Sequence, residues 1–438
     1  MDRRLTLNPL FKIFSALFLV IILLFLLTSV AFADPTGAND LRLSDMGGLG
    51  TSGAFVADDP AIAYNSTDKQ YLAVWAGSES DSAAVPLRIY GQRIDAITGA
   101  EIGSNDFDIA GIVGATHINQ DATAPAIVYN SVNNEYLVIF VGDVYTPTTA
   151  TETDVFGQRV AANGTLLGSV FQISDCGAPG DSTADVGSAP GLGYPLDLAF
   201  NATDNQYLAV WRCDDVGDGG LADGEFEILG RIVNGDGSLQ GAGDFQISQV
   251  DGANGGNVIF DAESPSVTWN RVNNEYLVIW GADNATLGDS NREIFGQRLS
   301  STGSEIGSND FQISTTPQAT RDSIVGDVTY NPTNNEYLVV WAGDVATDNI
   351  LNVFGQRLAN TGALQGSNFA ISSNGTANDP VNEPNAVYNA VEQEYMVTWQ
   401  AATSTSGERE IFGQRVTASG SRTGTNDFRI SDLGLDAD

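Results

Sequence analysis

Six acidic residues crowd one short stretch, Asp214, Asp215, Asp218, Asp223, Glu225 and Glu227, with Gly217, Gly219, Gly220 and Gly224 between them. Carboxylate oxygens on a glycine-flexible backbone are what Ca²⁺ takes as ligands. Asp214, Asp215, Asp218, Asp223 and Glu225 are therefore the candidate metal ligands. The regular Asp-x-Asp-x-Asp-Gly spacing of a calcium loop is missing, so a plain solvated loop competes with that reading. Further aspartates recur in other long, irregular stretches: Asp143, Asp181, Asp185, Asp283, Asp289, Asp344 and Asp348. They form the candidate ligand-binding face. Nucleophilic and phosphate chemistry find no support. The single histidine is His117, and no Gly-x-Ser-x-Gly elbow, His-Glu-x-x-His helix or phosphate-cradling loop occurs. Paired carboxyls for glycoside cleavage remain compatible with so acidic a surface. Cys176 and Cys213 are the only cysteines, too few for a disulfide scaffold but able to pair in an oxidising compartment.

The elements that position these residues come from an internal repeat. AIAYNSTDKQYLAVW at 61–75 returns at 126–140, 196–211, 266–280, 327–341 and 385–399. Each copy is followed by a block such as IFGQRL at 294–299 and then by one such as FQIS at 311–314. All these blocks are short, rich in Val, Ile, Tyr, Phe and Trp, and bounded by Asn, Gly, Asp and Ser, which is how strands read. Each unit thus holds four strands, named a to d. Six four-stranded antiparallel units predict an all-β, six-bladed propeller over 34–438 as one domain. Antiparallel order sends the a–b and c–d turns, nearly constant in length, to one end of the blades. The variable b–c and d–a loops, which carry the aspartates above, go to the other, where binding is usual.

Two repeated features read as structural. The arginine of the c block (Arg93, Arg159, Arg231, Arg298, Arg357, Arg415) is expected to point between blades and pair with an acid before the strand-b tyrosine (Glu135, Glu275, Glu336, Glu394). A surplus d-like block, LRLS at 41–44, makes seven d strands for six a–b–c sets. It leads to the expectation that a terminal strand closes the ring or pairs with a second molecule.

Residues 1–33 read as a cleaved export signal: Arg3, Arg4 and Lys12, an apolar run to about Val30, then Ala31-Phe32-Ala33. The run approaches the length of a membrane span, so a retained anchor is the alternative. The chain carries a formal charge of −36, which becomes −38 when the signal takes three basic residues and one acidic one away. Such a surface repels nucleic acid and anionic lipid and attracts cations or basic partners. A secreted, periplasmic or cell-surface location is expected.

In strands a and b the units resemble the WD40-like repeats of TolB-type periplasmic propellers. Pro60, Pro125, Pro265 and Pro384 stand at the proline of that repeat, and Asn65-Ser-Thr-Asp68 at its turn, without the following glycine. The blocks also resemble repeats of uncharacterised secreted bacterial proteins. The TolB-type resemblance implies a propeller and a protein-binding role, and transfers no catalytic residue. Three functions stay open: a non-enzymatic module binding a protein or glycan through the acidic face, an assembly protein joining through the surplus strand, and a glycan-acting hydrolase or lyase.

Overall fold

The computed structural model describes residues 42–432, apart from residue 45 and the stretches 47–56, 79–85, 111–117, 146–150, 177–185, 187–194, 215–225, 251–260, 284–291, 316–323, 345–349, 376–380 and 403–408. Within these bounds the chain is a six-bladed propeller of four-stranded antiparallel sheets. No described helix is long and apolar enough to cross a membrane. Blade 4 shows the pattern, with strand a at Ala262–Asn270, b at Glu275–Ala282, c at Glu293–Ser300 and d at Glu305–Gln312. Strands a line the axis. They run Ala57–Asn65, Ile118–Asn130, Leu196–Asn201, Ala262–Asn270, Ile324–Asn331 and Asn382–Asn389 in blades 1 to 6.

Strand b of blades 3, 4 and 5 is buried at every residue, because sheets on both sides cover it. Its tyrosine and its tryptophan fill the gaps between blades, as Tyr276 and Trp280 do between blades 3 and 4. Strand c carries a glycine where there is no room for a side chain. A Cβ on Gly296 would lie 2.9 Å from Ile313, just past strand d, and 3.2 Å from Phe311 of strand d.

The a–b turn is built by its first asparagine. Asn270 Oδ1 accepts the N–H groups of Val272 and Asn273, and Asn274 ends the turn with φ of 55°. Asn tolerates that left-handed conformation better than most residues. The same Asn270 side chain donates to Tyr337 Oη (2.9 Å) and Asn335 Oδ1 (3.0 Å) of blade 5, so one residue both shapes a hairpin and ties two blades together.

Two expectations need correction. The c-strand arginines pair with the b-strand acids within a blade: Arg159–Glu135, Arg298–Glu275, Arg357–Glu336 and Arg415–Glu394. The two strands are neighbours in register, so the acid is the nearest anion. What crosses to the next blade is the other guanidinium nitrogen, as Arg159 Nη1 donates to the Asp236 carbonyl at 2.8 Å. Among the described residues the ring is also not closed by a shared sheet, because each of the six sheets is made of four strands consecutive in the chain. Arg42, Leu43 and Ser44, from the surplus block, belong to no strand.

Candidate functional site

The six inner strands converge on an axial cavity of about 430 Å³ lined by residues of all six blades. Each inner strand lines it with two or three residues, and at one register-equivalent position the six carry Ala61, Ala126, Asp197, Ser266, Asp327 and Asn385. The polar groups are unevenly spread. Blades 1 and 2 contribute Pro60, Ala61, Ile62, Pro125, Ala126 and Ile127, whereas blades 3 to 6 add hydroxyl, amide and carboxyl groups beside Leu196, Pro265 and Pro384.

Asp197 accepts the N–H of Leu198 on Oδ1 (2.7 Å) and that of Val267, in blade 4, on Oδ2 (2.8 Å). Asp327 repeats the arrangement two blades on, accepting from Val328 on Oδ1 (2.7 Å) and from Ala386, in blade 6, on Oδ2 (2.9 Å). Ser266 stands between them. Its hydroxyl donates to Asp327 Oδ1 at 3.0 Å and accepts the Val328 N–H at 3.3 Å. Two desolvated carboxyls that feel each other's charge cannot both ionise freely. Burial, and then the charge of Asp327, pushes Asp197 up to about 7 against the pull of its two backbone donors. Burial likewise raises Asp327 above the ordinary carboxyl range. At the start of strand a, Glu383 and Asp59 add two more raised carboxyls: burial lifts both, and Asp59 further lifts Glu383. Both have positive φ (51°) and precede a proline.

The arrangement can hold one proton between carboxyls near neutral pH while offering polar groups beside apolar carbon. Asp197 and Asp327 were not among the residues singled out from sequence. The signal was present, as an aspartate where blades 1 and 2 have alanine, but inner strands shared by all units read as scaffold.

The aspartates expected on an exposed ligand face stand differently. Asp283 and Asp344 are buried, and so is Asp214 of the candidate metal set. All three directly follow strand b. There Asp283 Oδ1 accepts the Asp261 N–H of the incoming d–a connection, a loop-fastening role that requires burial. None of the three lines the axial cavity. Asp143 lies in strand b of blade 2, opposite Thr153. Asp181, Asp185, Asp289, Asp348, Asp215, Asp218, Asp223, Glu225 and His117 lie outside the described residues. Cys176 and Cys213 are disulfide-bonded, joining the end of blade 2 to strand b of blade 3.

No family model matches the chain, and no curated protein matches it. Among solved structures it is similar to an E242A mutant of the α-L-arabinofuranosidase Arb93A from Fusarium graminearum, at 10% identity over 83% of this chain and 93% of that one, with a TM-score of 0.46. It is also similar to the arabinanase Arb43A of Bacillus subtilis (14% identity, 72% of this chain and 100% of that one, TM-score 0.38). A third is the GH43 β-1,3-galactosidase BT3683 (8%, 70% and 92%, TM-score 0.39). All three are named as glycan-acting enzymes and none as a WD40-like or TolB-type repeat, so the expected non-enzymatic binding module finds no counterpart among them. Likeness at such identity concerns the fold, so the chemistry has to be argued from the cavity itself.

Proposed function

We propose that the chain is a glycan-acting hydrolase whose reaction centre is the axial cavity. The observation that carries this is the coupled carboxyl pair Asp197 and Asp327, desolvated, with Ser266 donating to Asp327, and open to a cavity of sugar-residue size. Glycoside cleavage needs one carboxyl that is still protonated at working pH and one that is ionised. Asp197, held up to about 7, is the acid that protonates the departing glycosidic oxygen. Asp327 is the ionised partner that faces the positive charge developing at the anomeric carbon. Asn385 and Ser266 supply amide and hydroxyl groups for sugar hydroxyls, and the Ile62–Ile127 wall takes the apolar face of a ring. Export through the N-terminal signal would place the enzyme where polysaccharide is met.

The competing reading is structural, and one observation favours it: each carboxyl accepts an N–H of the following blade, which would staple the inner strands without any catalysis. A panel of aryl glycosides and plant and microbial polysaccharides, assayed with wild type, Asp197→Asn and Asp327→Asn, separates the two. Hydrolysis of at least one substrate, lost by 10³-fold or more in both variants while both remain folded, is the expected result. No hydrolysis of any substrate, or variants as active as wild type, would leave only the staple.

A further inference from the structure

Each of five blade interfaces is filled in the same way. The isoleucine directly after strand d of one blade packs among the tyrosine and tryptophan (or phenylalanine) of strand b in the next. Ile109 meets Tyr136 and Phe140, Ile173 meets Tyr207 and Trp211, and Ile247 meets Tyr276 and Trp280. Ile313 meets Tyr337 and Trp341, and Ile371 meets Tyr395 and Trp399. All five isoleucines are at most 1% exposed. The sixth, Ile430, is 46% exposed. Its natural receiver, the face of blade 1 formed by Tyr71, Ala73, Trp75, Tyr90 and Ile94, is occupied instead by Leu43 and Met46. Leu43-Ser44 is the repeat equivalent of Ile430-Ser431.

The rest of the seam agrees. Ile411 is 38%, Val387 59% and Ile62 56% exposed, where the equivalent Ile294, Ala199 and Val267 are buried inside interfaces. Asn389 uses its carbonyl oxygen in its own turn, on Val391 and Glu392, and among the described residues it makes no bond to Tyr71 like that of Asn331 to Tyr395. Arg415 engages Glu394, whereas Arg357 also reaches the turn carbonyl of Ser419 in the next blade.

We infer that Leu43 and Met46 act as an internal wedge: they hold the place on blade 1 that the end of blade 6 is built to fill, and their withdrawal lets blade 6 dock onto blade 1 and complete the wheel. Both segments carry a branched apolar residue at the same register position, Leu43 and Ile430, so they compete for one site and cannot occupy it together. The occupant of the exposed blade 6 face is blade 1 of the same chain. The two blades already flank one cavity, with Glu383 and Asp59 close enough to feel each other's charge, and tethering gives the internal partner a high effective concentration. This inference stands independently of the hydrolysis proposed above.

The test places cysteines at Ile62 and Val387, the pair equivalent to Val267 and Ala199, which share one interface cluster. Disulfide formation on mild oxidation is then timed in the full chain with and without Leu43→Asp/Met46→Asp. The native Cys176–Cys213 bond leaves no other thiol. The expected result is a disulfide within one chain that forms at least tenfold faster in the wedge variant. A synthetic peptide covering residues 40–48 should slow it again, and so should Ile430→Asp. Equal rates with and without the wedge substitutions would overturn the inference, as would cross-links between chains, which would make a second copy the occupant. If the double variant fails to fold by circular dichroism, Leu43→Ala gives the same comparison, with a smaller acceleration expected and equal rates again fatal.

Discussion

Asp197 is a carboxyl whose folded state holds its proton more tightly than the unfolded chain does, and two measurable consequences follow from the sign of that shift. Between pH 4 and about 7 the folded form binds more protons, so the group's contribution to stability is complete below its unfolded value near 3.8 and fades as the pH rises through about 7. The stability of wild type relative to Asp197→Asn should therefore fall steadily across that interval, by a few kcal/mol at most. Chemical denaturation of both proteins at pH 4, 5.5, 7 and 8 measures it; a difference that does not change with pH would show that Asp197 titrates normally. The second consequence concerns rate. An acid that must be protonated loses its function above its own pKa, so kcat/KM should decline above about pH 7, and that limb should vanish from the residual activity of Asp197→Asn.

The strand is the scale at which the repeat becomes a structure, and one asparagine shows how much a single element end can carry. Asn270 closes its hairpin with its carbonyl oxygen and reaches blade 5 with its amide, and it is fully buried. Asn270→Ala deprives Val272 N–H, Asn273 N–H and Tyr337 Oη of a partner at once. A loss of about 2–4 kcal/mol by urea unfolding is expected, against less than about 1 kcal/mol for Asn389→Ala, whose amide bridges no blades among the described residues. Equal costs at the two sites would mean that the turn and not the inter-blade bond carries the energy. These strand ends were legible because six copies of Asn, four residues, Glu or Gln, Tyr, and Leu or Met cannot all be accidental: strand order, turn positions and the buried tyrosines follow from them. The axial carboxyls were not legible. Asp197 and Asp327 depart from the repeat at only one position, and a strand seen alone does not tell that this position faces its five counterparts. The direction of the Arg–Glu pairs was missed for a related reason. Alternation fixes the face on which a side chain lies, but not whether its nearest anion belongs to the same sheet or the next. The wedge was half visible, as a seventh d-like block without a sheet, yet which face of the wheel it covers depends on contacts between the two ends of the chain.

The described blades are joined at five interfaces by apolar contacts and amide bonds, while the chain as a whole is overwhelmingly negative. A charge of −36 over 438 residues opposes compaction, and that opposition acts over distances set by salt. The Debye length shrinks from about 30 Å at 0.01 M to about 3 Å at 1 M, shorter than the spacing between blades but comparable to a hydrogen-bonded ion pair. Raising NaCl should therefore relieve repulsion between distant carboxylates well before it weakens close pairs such as Arg298–Glu275, at 2.7 Å and largely buried. The midpoint of thermal unfolding should rise by several degrees between 0.01 and 0.5 M NaCl; a fall would mean that the arginine–glutamate pairs outweigh the general repulsion. Divalent cations sharpen the test. If screening alone operates, CaCl₂ and MgCl₂ at equal ionic strength should raise the midpoint equally. A calcium site at Asp214, Asp215, Asp218, Asp223 and Glu225 would instead add a saturable Ca²⁺-specific increment, following RT ln(1 + [L]/Kd). That increment should disappear when Asp218 and Asp223 are both changed to Asn, while the response to NaCl stays nearly the same, because two charges among so many scarcely alter the field of the wheel.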